Sequence, residues 1–436
     1  MSPRFLFRPR PLGRLRMPLV AALLGALALT ACRPTPPAPR PVRSQATQET
    51  GRLTPRAIGE RAPTLPWMAQ VTAVDLDQDG RLDVLACDAQ LNRLVWLRQG
   101  EGGAFEERVL PHELQGLVHA EPVDLDGDGD LDVVVACMGY VFPNNDRIGS
   151  VVALENVGGG HFREHLLIDR VARVNDVRAA DLNGDGRLDL ALAQFGFDQG
   201  EVRWLEQTGP WEFRSHVLLE LSGAINIVAA DFTGDGRIDL AVQISQQWEE
   251  IYLFENRGGG EFGRKRVWGS TNEDYGSSGM ALADLNRDGR PDLVFSNGDG
   301  FGPAAVPGPR PWHGVQWLEN TGQGLFRYHA IGHLDGAYSP LPVDLDGDGA
   351  LDVVAVSAFI EKDGQGRPAP ALAWFRNDGS QRFEKRILAY APRHQITVCA
   401  GDFDGSGAAS LVTGGFYVIK PEGEMSRLTL WEKARR

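Results

Sequence analysis

A closed ring of seven four-stranded antiparallel sheets is the architecture expected of this 436-residue chain, and three observations lead to it. A nine-residue acidic loop recurs at intervals of 49 to 60 residues. A strand ending in Asn or Gln, followed six residues later by Phe, recurs in step with it. A spare strand near the start of the chain has the pattern of one missing from its end. Four short strands per repeat of about 50 residues describe the blade of a β-propeller, an all-β fold.

The acidic loop is clearest at Asp124-Leu125-Asp126-Gly127-Asp128-Gly129-Asp130-Leu131-Asp132. Acids at the first, third, fifth and ninth places form an oxygen cage for a hard divalent cation, and the sixth-place glycine makes the tight turn. The six full copies place Asp75, Asp77, Asp79 and Asp83; Asp124, Asp126, Asp128 and Asp132; Asp181, Asn183, Asp185 and Asp189; Asp231, Thr233, Asp235 and Asp239; Asp284, Asn286, Asp288 and Asp292; and Asp344, Asp346, Asp348 and Asp352 at those positions. The seventh residue (Arg81, Asp130, Arg187, Arg237, Arg290, Ala350) would offer its backbone carbonyl, so its side chain is free to vary. Six structural Ca²⁺ sites are therefore expected, with the four-acid loops at Asp75, Asp124 and Asp344 binding best. A worn seventh copy at Asp402 has Ser406 and Ser410 where acids belong and is expected to be empty or weak.

An EF-hand is excluded, because the twelfth places are Ala86, Val135, Leu192, Val242, Phe295 and Ala355 instead of Glu, and the flanks read as strands instead of helices.

The second mark runs from Gln99 to Phe105, Asn156 to Phe162, Gln207 to Phe213, Asn256 to Phe262, Asn320 to Phe326 and Asn377 to Phe383. A glycine-rich corner between two apolar strands is a hairpin turn. Three residues past each Phe stands a basic or imidazole group (Arg108, His165, His216, Lys265, His329, Arg386), whose recurrence marks a repeat feature of the outer strand rather than a catalytic base. Only five residues follow Trp431, so the last blade lacks a strand. Leu53-Thr54-Pro55-Arg56-Ala57-Ile58 matches the missing pattern and is expected to complete that blade, closing the ring and removing its open edge.

The runs Asp-Leu-Asp-Gly-Asp-Gly-x-Leu-Asp and Trp-Leu-Glu-Asn-x-Gly-x-Gly-x-Phe resemble the FG-GAP/VCBS repeats of bacterial surface proteins and are similar to the N-terminal propeller of integrin α chains. That resemblance implies a seven-bladed, calcium-stabilised propeller over residues 52–436. For function it leaves adhesion modules, lectins and lyase scaffolds open.

Ahead of the domain, residues 1–31 carry five arginines, no acid and an apolar run from Leu19 to Leu29 that is too short to span a bilayer, as in an export signal. Leu29-Thr30-Ala31-Cys32 resembles the lipobox of bacterial lipoproteins, which implies cleavage before Cys32, lipidation of its thiol and a place in the cell envelope, with Arg33 favouring the outer membrane. Residues 32–51, proline-rich and then polar, read as a tether. The formal charge of −14 becomes −19 once the leader is removed, a surface that does not suit nucleic acid. Cys87, Cys137 and Cys399 read as buried free thiols, with a Cys87–Cys137 disulfide as the alternative.

No phosphate loop, His-Glu-x-x-His or Gly-x-Ser-x-Gly occurs, and no catalytic residue is assigned. The connections between second and third strands vary most: 13 residues in the first blade (Asp83 to Trp96), 25 in the fifth (Asp292 to Trp317) and 22 in the sixth (Asp352 to Trp374). Up-and-down strands put these loops on the face away from the acid loops. They carry Tyr140, Phe142, Asn144 and Asn145, then Phe301, Trp312 and His313, then Phe359. Gln70, His119, Asp176, Asn226, Ser339 and Thr397 enter the inner strands on that side, as polar groups about the channel mouth. A lipid-anchored, monomeric module binding a glycan or a protein there is the leading expectation. A polysaccharide lyase or hydrolase is the alternative, and it would need a convergent cluster such as His119, Glu121, Asp176 and Arg178.

Overall fold

The structure is a computed structural model that describes residues 47–300, 308–418 and 420–433; the residues expected to form a leader and the start of a tether, with Cys32 and Phe301, lie outside them. The chain forms seven four-stranded antiparallel blades, each starting from an innermost strand: Met68–Val74, Leu117–Val123, Val174–Ala180, Ala224–Ala230, Ser277–Ala283, Ala337–Val343 and Gln395–Gly401. Each inner strand packs beside that of the next blade, and the seventh returns to the first.

The second strand of each blade (Asp83–Asp88, Asp132–Cys137, Asp189–Gln194, Asp239–Ile244, Asp292–Asn297, Asp352–Ser357, Ser410–Gly415) is buried at every residue. A strand covered on both faces reads as a continuous apolar run, as in Val133-Val134-Val135-Ala136. Seven cores result, each between the facing sides of two neighbouring blades. Leu85, Trp96, Val133 and Leu154 join blades one and two, and Val84, Leu97, Val412 and Leu430 join blades one and seven. Stability is thus shared around the circle, and no blade has a core of its own.

Closure follows the expectation. Leu53–Ala57 pairs antiparallel with Leu428–Lys433, from Leu53 opposite Lys433 to Ala57 opposite Thr429, and supplies the fourth strand of blade seven. The sequence does not announce a further strand. Thr47–Gln48 pairs parallel with Arg386 and Ile387 on the outer edge of blade six, so residues expected in the tether join a sheet. Cys87, Cys137 and Cys399 are buried free thiols, and burial pushes the first up beyond the ordinary thiol range and the other two up to about 12.

Candidate functional site

Both turns at one end of each blade, the acid loop and the Phe hairpin, lie on one face. The connections between second and third strands, and those between blades, lie on the other.

On the acid face the ninth-place carboxylate is a buried anchor. In blade five, Asp292 Oδ2 accepts the Leu285 amide at 3.1 Å and Oδ1 accepts the Asn320 amide at 2.7 Å, tying loop to third strand. Asp83, Asp132, Asp189, Asp239 and Asp352 repeat this pair of bonds. Burial pushes Asp132 and Asp292 up to about 6 against those bonds. The first-place carboxylate holds the turn: Asp181 accepts the amides of Gly184 at 2.7 Å and Gly186 at 2.9 Å. The sixth-place glycines have φ near +90°, as Gly129 (97°) and Gly186 (85°) show, where a side chain would be strained.

The Asn and Gln that end the third strands do more than turn a corner. Gln207 Nε2 donates to Leu125 O at 3.2 Å, Asn256 Nδ2 to Leu182 O at 2.8 Å, Asn320 Nδ2 to Phe232 O at 2.9 Å and Gln99 Nε2 to Phe403 O at 2.7 Å. Each reaches the acid loop of the preceding blade, the last across the closure.

The donor chemistry of these loops fits a hard cation. Asp75, Asp77 and Asp83; Asp124, Asp126 and Asp132; and Asp344, Asp346 and Asp348 each bring carboxylate oxygens within 4.8 Å of one another. Asp77 Oδ1 is buried with no hydrogen-bond partner, an acceptor that a cation would satisfy. The seventh-place side chains are not idle, however. Arg81, Arg187, Arg237 and Arg290 each pair with the fifth-place carboxylate of their own loop, and their Nε groups donate to the carbonyls of Gln99, Gln207, Asn256 and Asn320 at 2.7–3.0 Å. The recurring imidazoles are tied as well: His165, His216 and His329 bond Glu155, Glu206 and Glu319 at 2.6, 2.9 and 2.7 Å.

On the opposite face, aromatic rings meet in an unbroken row. Tyr140 contacts Phe142 (centroids 5.6 Å apart), Phe142 contacts Trp67 (5.2 Å), Trp67 stacks on Phe416 (5.7 Å), Phe416 meets Phe359 (6.2 Å) and Phe359 meets Tyr338 (5.8 Å). All lie in the range for favourable ring pairs. The row runs from the long loop of blade two, past the entry to blade one, through blade seven to blade six. Tyr140 is 51% exposed at its end. Trp67 and Phe416 were not singled out in the sequence, because each stands alone in a connection with no repeat position. Asn145 bonds both ways with Asp198 (2.7 Å each), and Asn144 accepts the Asp146 amide at 2.5 Å, so both asparagines brace loops. Trp312 is partly exposed, its indole donating to Asp274 O at 2.8 Å. His313 departs from expectation: it is 1% exposed, accepts the Gly336 amide on Nδ1 at 3.2 Å and is pushed down to about 4 by burial, so it packs instead of presenting itself.

The polar groups expected around the channel mouth largely join blades together. A register slip falls at or just before this position in every inner strand, beside the side chains that reach the neighbouring blade. Gln70 Oε1 accepts the Ala120 amide at 2.8 Å, Asp176 Oδ2 that of Ile227 at 3.0 Å, Ser339 Oγ that of Val398 at 3.3 Å and Thr397 Oγ1 that of Val71 at 3.1 Å. Asn226 donates to Asp176 Oδ2 at 3.3 Å.

His119, Glu121, Asp176 and Arg178 do come together. Arg178 contacts Glu121 at 2.9 Å and Asp176 at 3.4 Å, and His119 Nε2 lies 3.3 Å from Asp176 Oδ1 but out of line for a hydrogen bond. His119 is 6% exposed, and burial pushes it down to about 4 despite the nearby carboxylate. Burial likewise raises Glu121 against the pull of Arg178. Glu121 and Arg178 border a cavity of about 310 Å³ whose other wall is apolar (Val228, Met280, Leu282).

Seven four-stranded blades in a ring, six of them headed by a full acidic loop, define a repeat β-propeller. The FG-GAP-like repeat matches residues 75–135, 124–192, 181–242 and 244–295, together just over half of the sequence, and the chain belongs to that family. No curated protein matches it in sequence. Among solved structures it is similar to BBS1N crystallised in complex with ARL6DN, in a mercury-soaked form (TM-score 0.51, 8% identity, 88% of this chain and 98% of that one) and a lead-soaked form (0.50, 9%, 90% and 96%). The V. cholerae biofilm matrix protein Bap1 matches at a TM-score of 0.47 and 12% identity over 90% of this chain and 92% of that one. At such identities the likeness is one of fold.

Proposed function

We propose that the protein is a calcium-stabilised binding module of the cell envelope, anchored by lipid on Cys32 through a tether that ends where Thr47 joins blade six, with a glycan or protein ligand taken on the aromatic face. The observation that carries it is the continuous row from Tyr140 to Tyr338, spanning four blades on the face whose loops vary in length. The rings pack edge to face or stacked on one another, with Phe416 buried beneath and Tyr140 exposed, and such mutually braced aromatics give a ligand apolar contact at little entropic cost. Ca²⁺ would be held by the first, third, fifth and ninth side chains of the six full loops. It would neutralise their charge and brace the turns, with no part in chemistry.

Binding of purified envelope glycans and surface proteins, measured with the wild type and Tyr140→Ala, tests the reading. Loss of one exposed ring should weaken binding about tenfold. Unchanged binding by the variant, or no binding by the wild type, would overturn the assignment of this face. Palmitate labelling that survives Cys32→Ser would remove the anchor.

The meeting of His119, Glu121, Asp176 and Arg178 beside a cavity favours one second reading, a hydrolase or lyase acting on polysaccharide. Product release abolished by His119→Ala would select it. Its weakness is that Arg178 is already occupied by two carboxylates and the Ile227 carbonyl at 3.2 Å.

A further inference from the structure

The seam where the ring closes holds a second cavity, of about 280 Å³, on the face that carries the aromatic row. Stretches far apart in the chain wall it. Glu60, Arg61 and Pro63 come from the connection that enters blade one, Leu91 and Arg93 from the turn between that blade's second and third strands, and Arg427 from the matching turn of blade seven. Glu107, on the outer strand of blade one, completes the wall. The cavity adjoins the row. Arg427 O accepts the amide of Gly415, the residue before Phe416, at 3.0 Å, and Trp67 O accepts that of Ala89, two residues before Leu91, at 2.9 Å.

Arg427 is fixed in place and only 7% exposed: its Nε donates to Asp88 Oδ2 at 3.3 Å and its Nη1 to both oxygens of Glu107 at 2.8 Å. Its Nη2 is buried without a partner, a donor left over in the wall of a cavity. The backbone is fitted to this arrangement. The Glu60 amide donates to Glu107 Oε2 at 2.6 Å, and Gly59 (φ 73°) stands where a Cβ would lie 2.6 Å from the same oxygen. Arg61 and Arg93 are exposed beside the cavity, and among the described residues neither side chain makes a hydrogen bond or an ion pair. Glu60 borders the cavity with them and pairs with neither. In a chain of 58 acids against 44 lysines and arginines, two such guanidiniums at one cavity leave room for an anion from outside.

We infer that this cavity is a subsite for the carboxylate of a uronic-acid sugar, and that the ligand of the aromatic face is an acidic glycan. The second half rests on the binding reading given above; the first rests on the cavity alone. A guanidinium is a planar fork that matches a carboxylate, so Arg61 and Arg93 would take the acid group. Arg427 Nη2 would donate to a ring or hydroxyl oxygen, Glu60 would accept from hydroxyls, and Pro63 and Leu91 offer apolar contact to the face of a sugar ring. An acceptor beside the arginines favours a ligand that carries hydroxyl donors next to its charge over a simple anion, which has none.

Binding of galacturonate oligomers and of neutral galactose oligomers to the full chain, measured by calorimetry at low and high salt, tests this. The wild type should bind the acidic oligomer about tenfold more tightly, and the difference should fade as salt screens it. Arg61→Gln with Arg93→Gln should remove that preference and leave neutral binding unchanged. Neither arginine holds a partner in the fold, so the melting temperature should stay that of the wild type. Equal binding of the two oligomers by the wild type, a preference that survives the double substitution, or inorganic sulfate competing as strongly as galacturonate would overturn the inference. Tyr140→Ala separates it from the reading of the face: if that variant loses affinity for both oligomers while the wild type prefers neither, the aromatic site stands and the acidic subsite falls. A wild type that binds neither oligomer would overturn the acidic subsite and leave only a protein ligand for the face.

Discussion

The two faces of the ring are built by the same reversals of the same strands, yet one repeats itself and the other does not. On the acid face, Asp83, Asp132, Asp189, Asp239, Asp292 and Asp352 make the same two amide bonds, and Asn or Gln ties four loops to their neighbours. On the other face, connections of different length meet through rings contributed by four blades. A nine-residue turn can satisfy its own backbone, so it recurs unchanged. A connection of more than twenty residues must lean on whatever lies beside it. The difference teaches that the bonds holding the circle together are concentrated where the sequence repeats, which leaves the opposite face free to diverge.

Three measurements would break or sharpen that contrast. The largest effect is expected on the acid face. Asp292→Ala leaves the buried amides of Leu285 and Asn320 without acceptors, at about 1–3 kcal/mol each, so denaturant unfolding in chelator should show a loss of roughly 3–5 kcal/mol. A loss under 1 kcal/mol would show that the buried carboxylate is not an anchor.

Next comes Glu249, a buried carboxylate on the variable face that burial pushes up to about 7, against its bonds to Ser277. Its pKa in the folded chain lies above the unfolded value of about 4.5. Its contribution to stability is therefore complete below pH 4.5 and lost as pH rises through 7. Glu249→Gln should melt a few degrees higher than wild type at pH 8.5, and the gap should close by pH 5. A gap that stays constant with pH would show that the residue does not titrate there.

The smallest effect is expected at the inner girdle. Thr397→Val removes the acceptor of the Val71 amide at the closure and should cost about 1–2 kcal/mol, visible as a lower unfolding midpoint. If that cost matched or exceeded the Asp292 effect, the contrast between the faces would fail.

Much of this was legible in the sequence because it is periodic. Acid spacing, the step from Asn or Gln to Phe, and the pattern of Leu53 to Ile58 gave seven blades and the strand that closes them. The recurring His165, His216 and His329 were legible as a repeat feature for the same reason. What escaped reading was whatever depends on a neighbour. Gln70, Ser339 and Thr397 looked like channel-mouth groups, and they are acceptors for the next blade because inner strands lie side by side. Trp67 and Phe416 sit about 350 residues apart in the chain and stack only because the ring closes between them. Arg98 and Arg376 directly precede the Gln99 and Asn377 that end their strands, and nothing local says that their guanidiniums reach Asp77 and Asp79, or Asp346 and Asp348, in their own blade's loop.

Pattern alone therefore determined the repeat, its number, its closure and the oxygen-rich loops, since each follows from residues close together in the chain and periodicity survives in one dimension. Only the tertiary structure decided which carboxylates meet a guanidinium, which polar groups bond across blades and which rings touch. Those contacts depend on the distance between elements that the chain brings together only on closing the circle.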